Sequence, residues 1–202
     1  MGTKAWQLGS PGTVVYRFYD GLRKRLNLKL VEYLLAAVTG NEPSRVLEAG
    51  SGPAFASSLL ALDSRVAMSI AVDIDLEALK EARRRDPLLP AVVADLRNLP
   101  FRGESIDLTW NSSTLEHLDA PEVALAEMTR VTRQGGKLFV GVPNLYGPLG
   151  FQRWIANSSA GVWIGTVFHR GELTALLRNA GLRPLDSIFY FFRFFVGVLA
   201  QK

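Results

Sequence analysis

The chain has 202 residues, 48% of them hydrophobic and 21% charged, with a formal net charge of +4. These proportions exclude a disordered chain and allow one sizeable core. No basic stripe interleaved with aromatics accompanies the mild positive charge, so no nucleic-acid partner is expected. The lack of cysteine rules out a disulfide framework, a thiolate metal site and a cysteine nucleophile.

Met1 to Ser10 has no apolar run of signal-peptide length, so the cytoplasm is the expected location. Val14 to Val38 repeats apolar residues at helical spacing, and Gly40 to Ser44 stops that pattern. A short strand, Val46 to Ala49, then runs into the turn Gly50-Ser51-Gly52, with a helix expected over Ala54 to Leu62. The apolar run Val66 to Val72 predicts a second buried strand ending at Asp73, and Leu76 to Arg85 a helix. Ala91 to Ala94 is a third strand ending at Asp95, and Ile106 to Trp110 a fourth, leading into Asn111-Ser112-Ser113. Pro121 opens a helix to about Thr132, with Val123, Leu125, Ala126 and Met128 expected inward. Gly135-Gly136 is expected to turn the chain into a fifth strand, Lys137 to Val142. Such regular alternation argues an open parallel sheet covered by helices on both faces.

Pro143 to Val167, rich in glycine and aromatics, reads as an excursion above the sheet edge. A helix from Glu172 to Asn179 follows, with Gly181 as its stop. The apolar end is too short for a membrane helix and carries Arg193, so two closing strands are expected, about Leu185 to Phe191 and Phe195 to Ala200. The whole chain is read as one domain: a helical cap over 1–43, a ligand-binding core over 44–142, a lid over 143–170 and a closing helix with strands over 171–202.

The stretch Glu48-Ala49-Gly50-Ser51-Gly52-Pro53-Ala54 is the centre of this arrangement. Its glycines allow a sharp turn and close approach to a ligand, and its N–H groups are expected to face an anionic or polar group. Asp73 and Asp95 end the next two strands along the same edge, where Asp73 can accept both hydroxyls of a ribose and Asp95 an adenine amino hydrogen. Asp75 is the rival for ribose, or a cap for the helix at Leu76. Ile74 and Leu96 would wall the flat base, with the Leu96 N–H meeting a ring nitrogen. A dinucleotide fingerprint is broken by Phe55 in place of the third glycine, no Tyr-x-x-x-Lys set accompanies it, and no Gly-Lys-Ser/Thr makes a phosphate loop. A nicotinamide-dependent oxidoreductase is therefore disfavoured.

Five segments in order resemble the class I S-adenosylmethionine-dependent methyltransferases. They are Glu48-x-Gly50-x-Gly52-x-Ala54, with alanine for the last glycine; Ala71-Val72-Asp73-Ile74-Asp75; Val93-Ala94-Asp95-Leu96 with Leu99-Pro100-Phe101; Ile106 to Asn111 with Leu115-Glu116-His117-Leu118; and Arg130-Val131 with Gly135-Gly136-x-Leu138. The resemblance spans Val46 to about Val142. It implies a Rossmann-like, doubly wound, mostly parallel seven-stranded sheet with helices on both faces. It also implies methyl transfer from S-adenosylmethionine, leaving S-adenosylhomocysteine. The cofactor residues it implies are Glu48, Ala49, Gly50, Ser51, Gly52, Asp73, Ile74, Asp95, Leu96, Asn111 and Ser112.

His117 is the candidate proton acceptor, with a packing role as the alternative. Some ubiquinone-pathway O-methyltransferases resembling this segment bind a metal through Glu-x-x-Glu-His. Here Ser113 replaces the first carboxylate beside Glu116 and His117, and no metal is expected. Tyr16, Tyr19, Trp154 and Trp163, with Phe151 and Phe168, are candidates to cover the cofactor and hold a small apolar or aromatic acceptor. Membrane contact is disfavoured and the oligomeric state is open. The alternative function is a binding or regulatory protein that keeps this shape without turnover.

Overall fold

The computed structural model of the protein describes residues 27–38, 40, 42–147 and 166–202. Helix α1, residues 27–37, precedes strand β1, Ser44–Ala49. Then come α2 (Phe55–Leu60), β2 (Val66–Asp73), α3 (Leu76–Arg85), β3 (Ala91–Val93) and β4 (Ile106–Ser112). A single 3-10 turn, Leu115–His117, leads to α4 (Pro121–Val131) and β5 (Thr132–Pro143). The chain closes with α5 (Arg170–Asn179), β6 (Arg183–Tyr190) and β7 (Phe195–Gln201).

The seven strands form one sheet in the order β3-β2-β1-β4-β5-β7-β6. β1 to β5 run parallel, and β7 enters antiparallel between β5 and β6. Strand order reverses beside β1, so the ends of β1, β2 and β4 open a crevice where α/β sheets bind ligands. Strand periodicity sorts the side chains into two layers. Leu47, Ala49, Val72, Leu138, Val140 and Val142 face α4 and α5. Val46, Leu108, Trp110 and Phe139 face α1 and α2.

Several elements depart from the sequence reading. On α4 the buried residues are Ala124, Leu125, Met128 and Val131, while Val123 is 47% exposed and Ala126 also faces out. The helix is therefore rotated relative to the expected face, because Ala124 and Val131 complete the three-to-four stripe that meets the sheet. Gly135-Gly136 lies inside β5, which starts at Thr132. Ile106 pairs with Thr132 and Leu108 with Lys137, so the glycines form a bulge in the strand. The helix after the glycine turn is shorter than expected at both ends: Ala54 caps it at left-handed φ 51 and ψ 42, and Leu62 and Asp63 N–H bond only three residues back, to the Leu59 and Leu60 carbonyls. The hairpin between β6 and β7 is tight, with Phe191, Phe192 and Arg193 all at positive φ and Phe194 N–H bonded to the Phe191 carbonyl at 3.0 Å.

Candidate active site

Glu48 lies near the end of β1 on the face that packs against α2, and it is 7% exposed. The Ser57 hydroxyl of α2 donates to its Oε2 at 2.5 Å. Burial pushes the carboxyl up to about 8, against the lowering effect of Ser57. Sequence reasoning missed Ser57, which becomes visible only once the face of β1 that carries Glu48 is known.

The glycine turn is bound inward. Gly50 and Ser51 N–H both reach the Val72 carbonyl, at 2.8 and 2.9 Å, and Gly52 N–H reaches Asp73 Oδ2 at 2.6 Å. These amides are spent on the end of β2, so the turn is not the anion cradle that its glycines suggested. What it provides is close approach. Gly50 sits at φ 79, and a Cβ there would land within the Thr114 side chain, whose hydroxyl bonds the Gly50 carbonyl at 3.0 Å. Arg85 Nη2 donates to the Pro53 carbonyl at 2.5 Å, and its guanidinium lies 3.9 Å over the Phe55 ring. The position expected to hold a third glycine is thus braced from α3.

Asp73 and Asp75 divide the roles left open by the sequence. Asp75 caps α3, accepting from Glu77 and Ala78 N–H at 2.9 and 3.3 Å. Asp73 accepts from Gly52 and Asp75 N–H, which leaves part of its acceptor capacity at the crevice. Beside it Ile74 is 67% exposed, an apolar side chain available to a flat base, and nothing lies within 4 Å of a Cβ built on Gly52. These residues fit a ribose with its attached groups.

Asp95 is more heavily engaged. Arg97 contacts its carboxylate through Nε at 3.0 Å and Nη2 at 2.6 Å, holding it down to about 2. The Leu96 side chain packs in the core at 5% exposure, so only its backbone faces the question of a base.

Asn111 is fully buried and ties strand ends together: its amide donates to the Ala49 carbonyl and its Oδ1 accepts from Leu115 N–H at 3.3 Å. The Ser112 hydroxyl lies 2.8 Å from the Tyr190 hydroxyl. Tyr190, distant in sequence, is not distinguished from its neighbours by the aromatic C-terminal run. It reaches the edge because Gly141 makes room, since a Cβ there would collide with the phenol. His117 ends the 3-10 turn, and burial lowers its pKa. His169 caps α5, accepting from Gly171 N–H at 3.0 Å, while Glu172 bonds back to the His169 N–H at 2.9 Å. Tyr16, Tyr19, Phe151, Trp154 and Trp163 lie outside the described residues; Phe168 is within them, bridging to Asn144. Neither of two shallow depressions elsewhere, one lined by Ser44, Asp107 and Gly136 and one by Thr174 and Asp186, includes the glycine turn.

Sheet order, glycine turn and the acidic strand ends together define the class I S-adenosylmethionine-dependent methyltransferase fold. The family model described as "Methyltransferase domain" matches residues 47–140. That match covers a little under half of the chain, and it is to this family, whose cofactor is S-adenosylmethionine, that the chain is similar.

A demethylmenaquinone methyltransferase from Renibacterium salmoninarum is 38% identical over 112 residues, 55% of this chain and 45% of that protein. A malonyl-[acyl-carrier protein] O-methyltransferase from Hamiltonella defensa is 33% identical over 109 residues, 54% of this chain and 42% of that protein. The alignments thus span less than half the length of these curated relatives. Among solved structures, magnesium protoporphyrin IX methyltransferase from Synechocystis, with bound S-adenosylhomocysteine, superposes with a TM-score of 0.76. It covers 98% of this chain and 91% of that one at 16% identity, a likeness of fold alone.

Proposed function

We propose that the chain methylates a small acceptor with an apolar or aromatic body, using S-adenosylmethionine. The observation that carries this reading is Asp73, held by Gly52 N–H at 2.6 Å beside the glycine turn and the exposed Ile74. Bound S-adenosylmethionine supplies a methyl group carried on a positively charged sulfur. Asp73 would hold the ribose, Ile74 would cover one face of the base, and Gly50 to Gly52 would let the amino-acid end lie against the backbone. The chain's own task is then to exclude water and align the acceptor, which supplies much of the acceleration for an already activated group.

The relatives' names, a demethylmenaquinone and a malonyl-carrier methyltransferase, are compatible with an acceptor that carries a long apolar part. Phe151, Trp154 and Trp163, with Tyr16 and Tyr19, are our candidates for its pocket. No helix among the described residues is long and apolar enough to cross a membrane. Without cysteine the chain suits the cytoplasm, where we place its action.

Calorimetric titration tests the cofactor site. S-adenosylmethionine is expected to bind saturably, Asp73→Asn to weaken it at least tenfold, and NAD not to bind. A folded protein with no affinity for S-adenosylmethionine would refute the proposal. The ion pair between Asp95 and Arg97 favours a second reading, a scaffold that binds weakly and does not turn over. Methyl transfer in a single-turnover assay against menaquinol- and acyl-type acceptors distinguishes it from the first.

A further inference from the structure

Glu116 is buried without a partner that explains its burial. It is 4% exposed, and among the described residues no donor stands in hydrogen-bonding geometry to either carboxyl oxygen. Glu48, buried to a similar degree, has the Ser57 hydroxyl; among the described residues Glu116 has no bond of that geometry. His117 Nε2 stays 3.9 Å from its Oε1. The Ser113 side chain and its own backbone N–H lie near enough only to moderate the upward effect of burial, which leaves the carboxyl at about 7. An enclosed, unpaired carboxyl opposes folding. Such a group calls for a partner, and a bound ligand is one that would supply it.

Its position says which ligand. Glu116 follows β4 in the 3-10 turn, and that turn is pinned to the glycine turn by Thr114 on the Gly50 carbonyl at 3.0 Å. Its backbone carbonyl accepts from Thr166 N–H at 3.0 Å, four residues before α5. Its charge reaches the Tyr190 phenol, which is itself bonded to Ser112 at the end of β4. Leu115, the neighbour of Glu116 in the turn, belongs to the apolar core. One buried acceptor group, tied to the glycine turn and electrostatically coupled to a hydroxyl pair at the end of β4, is an arrangement that orients a ligand by a single polar point.

We propose that Glu116 recognises the methyl acceptor by accepting a hydrogen from its amine or hydroxyl group, with Tyr190 and Ser112 lining the same site. This rests on the methyltransferase reading of the edge, and it adds that the acceptor carries a hydrogen-bond donor on its apolar body. A hydrocarbon or a fully esterified acceptor is disfavoured, because it would leave the carboxyl unpaired on binding.

The test uses the full chain saturated with S-adenosylhomocysteine and titrated calorimetrically with phenethylamine, 2-phenylethanol and the methyl ether of that alcohol. Both donors are expected to bind at least tenfold more tightly than the ether. Glu116→Met, which keeps volume and removes the acceptor, should abolish this discrimination, and Glu116→Gln should weaken it most for the amine. Both variants should bind S-adenosylhomocysteine as the parent does, and Glu116→Met should unfold at equal or higher urea.

Equal binding of the three probes, no binding of any, or discrimination that survives in Glu116→Met overturns the proposal. So does discrimination that EDTA removes and magnesium restores, since the carboxyl would then belong to a cation. Failure of the parent to bind S-adenosylhomocysteine is read separately, in the loading step. It would remove the methyltransferase reading and this proposal with it.

Discussion

Replacing Glu48 by glutamine isolates what a buried carboxyl does to this fold. In the unfolded chain it ionises near 4.5, whereas burial in the native state holds the proton to about 8. Between those values the folded protein keeps a proton that the unfolded chain has released. The stabilisation is therefore complete below pH 4.5 and is lost as pH rises through 8. Each pH unit inside the window is worth about 1.4 kcal/mol, so moving from pH 5.5 to 7.5 removes about 2.7 kcal/mol. A glutamine side chain at this position would still accept the Ser57 hydroxyl through its amide oxygen and has no proton to lose. Urea unfolding of both proteins at pH 5.5, 6.5 and 7.5 measures the difference. The glutamine variant is expected to gain about 2.7 kcal/mol relative to the parent across that range. Glu116 slopes the same way in both proteins and cancels. Parallel profiles for the two proteins would refute the reasoning, because they would mean that Glu48 is solvated or ionised in the fold.

Gly50→Ala should destabilise by about 2–4 kcal/mol, from left-handed strain plus loss of the bond between Thr114 and the Gly50 carbonyl, and a lowered urea midpoint checks it. Ala54→Gly should be within about 1 kcal/mol of neutral: relief of about 1–2 kcal/mol of strain is offset by one buried methyl and added chain entropy. Ala54→Val, β-branched and buried at the same φ, should cost about 2 kcal/mol or more in the same assay.

Strand ends are the legible part of this chain, because runs such as Val66 to Val72 stop at a carboxylate and the physics of burial is local there. Asp75 can be read as a cap for the same reason: the helix it caps begins at the next residue. Contacts made across the sheet are not legible. Nothing near Ser112 points to Tyr190, which arrives through a hairpin whose register the sequence does not reveal. The inward face of α4 differs from the expected one because Val123 is more apolar than Ala124, yet the stripe's geometry buries the smaller residue. The glycines of β5 read as a turn because a bulge needs the same permissive backbone. Glu116 stands inside a recognised segment, but only the fold shows that its carboxyl is enclosed and, among the described residues, without a hydrogen-bond donor.

The same bonds that brace the crevice decide how a nucleotide would be held. A carboxylate has about four acceptor positions. Asp73 spends two of them on Gly52 and Asp75, which fixes its direction and leaves capacity for two hydroxyls without breaking either bond. Asp95 spends its capacity on Arg97, through the backbone N–H and two guanidinium nitrogens, so an adenine amino group must displace a cation there. Recognition should therefore rest on the ribose at Asp73 and on apolar contact with Ile74, with the base edge read weakly. Glu48 and Asn111 contribute from beneath. Asn111 joins the ends of β1 and β4, and Glu48 joins β1 to α2, so the crevice is set before any ligand arrives. A site built this way loses little freedom on binding, which is where pre-organised sites gain affinity.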